Sequence, residues 1–94
     1  MRMTGNAAVD IPAAIIALLR RRAPDASICP SDVARHLAPE AGAWRARMPD
    51  IRVVAATLAR EGCLAITRGD STLDPDALGK GPIRLRRGPR FPPA

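Results

Sequence analysis

Two proline-led apolar segments constrain this chain most: Cys29-Pro30-Ser31-Asp32-Val33-Ala34-Arg35-His36-Leu37, and Met48-Pro49-Asp50 running on through residues 51–61 to Gly62. Proline suits the first turn of a helix, because its fixed φ is already helical and the N–H it lacks has no acceptor there. Ser31 and Asp32 add oxygens where the helix end carries partial positive charge. Each segment therefore predicts a short helix, with a bend between them. Directly after Gly62, Leu64 and Ile66 alternate with Cys63, Ala65 and Thr67, the period of a half-buried strand. Helix, bend, helix and strand in this order predict a small α+β winged helix-turn-helix, three helices with a two- to three-stranded β wing.

The 94 residues suffice for one domain and leave no room for a second. Hydrophobic residues make up 47% of the chain, but Trp44 and Phe91 are its only aromatics. The core must then be built from Ile, Leu, Val and Ala, which favours closely approaching helices.

Along the chain, residues 1–9 show no usable period and are expected to be a flexible leader. Asp10 is placed to cap a first helix opened by Ile11-Pro12, whose stripe Ile11, Ala14, Ile15, Leu18 and Leu19 follows helical spacing. Arg20-Arg21-Arg22 suits its negative end and Pro24 stops it. Ala26-Ser27-Ile28 is a candidate minimal strand. Val33, Ala34 and Leu37 form the inner face of the second helix. Residues 44–47 are expected to make one helical turn, with Pro49 driving Met48 out of the α region. In the third helix Ile51, Val54, Ala55 and Leu58 face inward, and Arg52, Val53, Ala56, Thr57 and Arg60 outward. Thr72-Leu73 reads as a return strand and Asp74-Pro75-Asp76 as a turn. Ile83 to Arg87 reads as a last strand at the sheet edge, and residues 88–94, with three prolines, as an unpacked tail. The domain proper is thus expected over residues 10–87.

The net charge of +6 is unevenly spread. Lys80, Arg84, Arg86, Arg87 and Arg90 have no acid among them, whereas residues 1–79 are nearly neutral. In a helix-turn-helix the second helix of the motif enters the major groove, and phosphate contacts fix its register. On that pattern Arg45, Arg47 and Arg52 at the start of the third helix, with Thr57 and Arg60 along it, are candidate nucleic-acid contacts. Arg68 at the expected wing tip, with Arg84 and Arg86 on the last strand, are candidates for the phosphate backbone. The bland alternatives stand beside these: solvated arginines on an exposed helix face, and charges that blunt a sheet edge. Val53 and Ala56 are poor base readers and favour a second possibility, a protein-interaction winged helix using the same face. The lone Trp44 suits a core plug better than base stacking, since single-strand readers of the stacking type carry several aromatics.

Cys29, Cys63 and His36 lack any paired metal-ligand spacing, so no metal or other cofactor is expected. Asp32 and His36 can pair across one helical turn, but no nucleophile elbow, phosphate-binding glycine loop or dinucleotide fingerprint occurs, and no catalytic activity is expected. The longest apolar run, residues 11–19, is too short to span a bilayer, and no secretory signal pattern is present, so a cytoplasmic location without membrane partners is expected. Winged-helix regulators often dimerise through added terminal helices, for which this chain has little room; a monomer is slightly favoured.

At Ile28 to Arg35, Trp44-Arg45, Met48-Pro49, Glu61-Gly62, Asp74-Pro75 and Gly81 to Arg86, the chain resembles a family of short bacterial proteins filed as a domain of unknown function. The resemblance covers most of residues 11–87. It implies a winged-helix-like fold and carries over no activity or functional residue. Taken together, the sequence leads to a DNA-binding or DNA-associated module with double-stranded DNA as partner, or alternatively to a module that docks a protein.

Overall fold

The computed structural model describes residues 7–93, with side chains from Ile11 onward. Helix α1 (Ala7–Arg20) is followed by strand β1 (Ser27–Ile28), helix α2 (Pro30–Leu37), a 3-10 turn (Ala43–Arg47), helix α3 (Met48–Arg60), and strands β2 (Leu64–Arg68), β3 (Ser71–Thr72) and β4 (Arg84–Arg87). The strands form one antiparallel sheet in the order β1-β4-β2-β3. This is a small α+β domain, consistent with a winged-helix-like arrangement in which the segment between β3 and β4 is the wing.

The apolar stripes close on one another. Ile11, Ile15 and Leu19 of α1, Val33 of α2 and Ile51 and Ala55 of α3 are fully buried against Leu64, Ile66, Ile83 and Leu85. Fully burying an Ile or Leu contributes about 1.5–3 kcal/mol, so these positions carry most of the stability. Trp44 is half-buried against the same core, as a plug at the joint between α2 and α3. Pro30 starts α2 as its first helical residue, and the Asp32 carboxylate accepts the Cys29 N–H over 2.9 Å. That reciprocal cap satisfies a donor the helix itself cannot.

Five local expectations need correction. α1 begins at Ala7, within the expected leader, so Pro12 lies inside the helix and leaves one rung without a donor. Met48 is helical, with φ −58° and ψ −44°, because the 3-10 turn runs straight into α3 and seats Met48 against the core. Ala56 is buried, covered by the wing. β4 lies inside the sheet: the two-residue strands β1 and β3 take the edges, and β4 pairs on both sides, Leu85 with Ile28 and with Ile66.

The fifth concerns the expected tail, which is packed through Pro93. The N–H groups of Gly88 and Arg90 donate to the carbonyls of Cys63 and Gly62 over 2.9 and 2.8 Å, and Phe91 lies against the core. The approach at Gly88 requires glycine, since a Cβ there would sit 2.3 Å from the Gly62 carbonyl oxygen. Residues 1–6 of the expected leader and Ala94 of the expected tail lie outside the described residues. No described helix is long and apolar enough to cross a membrane.

Candidate nucleic-acid interface

The wing folds back onto α3. Asp74 opens it with a turn, its carboxylate accepting the Asp76 N–H over 2.8 Å. Gly79 and Gly81, at φ +66° and +107°, turn the following loop so that its carbonyls face two arginines. Arg52 of α3 donates to the Gly79 and Gly81 oxygens over 3.1 and 3.3 Å. Arg68, from the end of β2, donates to Leu78 and Pro82 over 3.0 Å each and to Gly81 over 3.5 Å. Arg68 shares the inner sheet face with Ile66 and reaches back under the wing, away from the Gly69-Asp70 tip where it was expected. Arg60 pairs with Asp76 over 2.6 Å, both largely exposed.

These contacts leave the positive charge in place. A carbonyl orients a guanidinium without neutralising it, and each guanidinium carries five donors, more than are used here. Among the residues whose side chains are described, Arg60 and Asp76 form the one ion pair. Arg52 and Arg68 therefore meet at the base of the wing with no direct carboxylate partner on either, although Asp76, paired with Arg60, lines the same groove as Arg52.

A second cluster lies at the start of α3. Arg35 and Arg45 stack on Trp44, 4.5 and 4.7 Å from the ring centre. Arg47 is half-buried, and one of its terminal nitrogens, Nη1, is buried without a hydrogen-bond partner. Arg35 was missed by sequence reasoning, although its place in the last turn of α2 was the available signal. The exposed flank of α3 carries Asp50, Val53, Thr57 and Glu61. The Thr57 hydroxyl donates to the Val53 carbonyl over 3.2 Å, and Val53 is 66% exposed. Two acids and two short side chains offer little to read base edges.

Arg84 and Arg86 do not join either cluster. Leu85 points into the core, so its neighbours point to the opposite sheet face, beside Thr67 and Ala65. There Arg84 donates to the Ser27 hydroxyl and carbonyl over 3.0 and 3.1 Å, and Arg86 donates to the Asp25 carbonyl. They bind β1 to its neighbour, and because β4 is interior they do not protect an edge. Of the eight residues that sequence nominated, the structure gathers Arg52, Arg60 and Arg68 at the wing, sets Arg45 and Arg47 at the start of α3, leaves Thr57 on the exposed flank, and separates Arg84 and Arg86.

The remaining reactive groups stay apart. The Ser31 hydroxyl donates to the Cys29 sulfur over 3.0 Å, Cys29 and Cys63 are free thiols, and His36 is exposed. Among the described residues no three His, Cys, Asp or Glu side chains gather as metal ligands.

Fold and site together define a small α+β domain whose arginines are ordered by backbone carbonyls. Residues 8–88 match the family described as "Protein of unknown function (DUF3253)", and the chain belongs to that family. No curated protein matches the chain.

Proposed function

We propose that this domain binds double-stranded DNA through its phosphates, with Arg52, Arg68 and Lys80 at the wing and Arg45 and Arg47 at the start of α3. The observation that carries this reading is the pairing of Arg52 and Arg68 with carbonyls of one loop, which presents two ordered charges with no carboxylate bonded directly to either. Such an arrangement favours phosphate contact, whose energy comes largely from counterion release. The exposed flank of α3 supplies few base-reading groups, so the binding carries little sequence preference. Fluorescence anisotropy with a random duplex at low salt tests this. Saturable binding that weakens steeply with salt is expected, and a dissociation constant weaker than about 100 μM, the loose end of non-specific binding, overturns it.

The exposed Val53 favours a second reading, a protein-docking winged helix. It borders a groove of about 300 Å³ lined also by Ala56, Pro75 and Leu78. Sedimentation separates the two: self-association that Val53→Ser abolishes, together with indifference to DNA, selects the protein-docking reading.

A further inference from the structure

A cleft of about 480 Å³ opens where residues 88–93 cross the end of α1, beside Arg87 and so at the end of the β2–β4 pairing away from Arg68. Its volume falls within the range of small-ligand sites. Arg20, Arg87 and Phe91 line it, with Pro24, Pro92 and Pro93 as apolar walls.

Both guanidinium groups lie over the one aromatic ring. The centre of the Arg87 guanidinium is 4.7 Å from the Phe91 ring centre, and that of Arg20 is 6.0 Å away. Arg87 uses its Nη2 to donate to the carbonyls of Leu19, in the last turn of α1, and Arg22, just beyond the helix, over 3.1 and 3.2 Å. Its Nε is buried and has no hydrogen-bond partner. Arg20 donates from Nη2 to the Pro93 and Pro92 carbonyls, over 2.7 and 3.4 Å. No described carboxylate pairs with either residue. Two cations and flat apolar walls are complementary to one kind of molecule: an anion with a flat, apolar body.

We infer that this cleft binds a small aromatic carboxylate, its charge held by Arg20 and Arg87 and its ring laid against Phe91 and the prolines. A hydrogen bond to a charged group contributes more than a neutral one, and each guanidinium keeps donors beyond those its carbonyl partners use. The site is independent of the proposed DNA surface, since Arg52, Arg68 and Lys80 take no part in it.

The test is a titration of the full chain with benzoate, followed by amide NMR, with uncharged benzamide and with acetate as controls. Saturable shifts at the amides of Arg20, Arg21, Arg22, Arg87, Gly88 and Phe91 are expected, with benzoate at least about tenfold tighter than either control. Arg20→Gln should weaken benzoate by a similar factor while far-UV circular dichroism and Trp44 fluorescence stay unchanged. Phe91→Leu should narrow the gap between benzoate and acetate, which keeps the inference open to refutation if Arg20 variants misfold. It is overturned by benzoate failing to saturate these amides at about 10 mM, by benzamide binding equally well, or by shifts confined to the Leu78–Pro82 loop.

Discussion

Arg52 on α3 and Arg68 at the end of β2 donate to the same carbonyl oxygen, that of Gly81. Two like charges that share one acceptor at the surface repel only weakly, by about 1 kcal/mol or less in a water-like dielectric. The loop that holds them consequently binds the helix to the wing and concentrates charge in one place. Arg52→Gln with Arg68→Gln should weaken binding to a random duplex and lower the slope of log K against log salt by about two, one for each phosphate no longer neutralised. Arg84→Gln with Arg86→Gln should leave that slope nearly unchanged, because both face the other side of the sheet. Anisotropy over a salt series reads both outcomes.

Gly88→Ala should destabilise the domain by about 3 kcal/mol or more. The added methyl would meet the backbone of Gly62 and Leu64, at 2.3 and 2.8 Å; Leu64 is held in the β2–β4 ladder and the Gly62 carbonyl by the Arg90 N–H. Gly69→Ala has open space around the new methyl, and only the left-handed φ of +58° opposes it, a cost of about 1–2 kcal/mol. Urea unfolding of the two variants side by side measures the difference.

Asp32→Ala removes the acceptor of the Cys29 N–H and should cost about 1 kcal/mol. The midpoint of chemical unfolding should fall with an unchanged denaturant slope, since the cap is local and the buried surface stays the same.

Arg60→Ala should change global stability by less than about 0.5 kcal/mol, despite the short 2.6 Å contact with Asp76. The two side chains are 50% and 69% exposed, and side-chain entropy offsets most of the attraction. Amide exchange around Asp76 should nevertheless quicken, because the wing loses one of its attachments to α3.

The sequence carried the local signals well. Pro30 and Asp32 marked the start of α2, and the helical and strand periods marked the buried faces from Ile11 to Leu85. What escaped it depended on partners distant along the chain. Ala56 sits on the outward side of an isolated α3 and is buried only because residues 75–78 fold over it. Alternation identified β4, but not that β1, far earlier, lies along its outer side. Prolines suggested a loose tail, whereas Phe91 and the glycine contact at 88 pack that segment against the core. The charge cluster was legible in part: Arg52 and Arg68 were nominated, but carbonyl partners leave no trace in composition.

β4 also governs when this architecture can exist. β1 has no neighbour other than a strand made from residues 84–87, and β2 has on its other side only the two-residue β3. During synthesis the sheet cannot assemble until that late segment has left the ribosome, so helices α1 to α3 must wait with one side of their core uncovered. Trimming the chain ahead of Arg84 would thus remove the keystone of the whole sheet and leave no smaller stable unit behind.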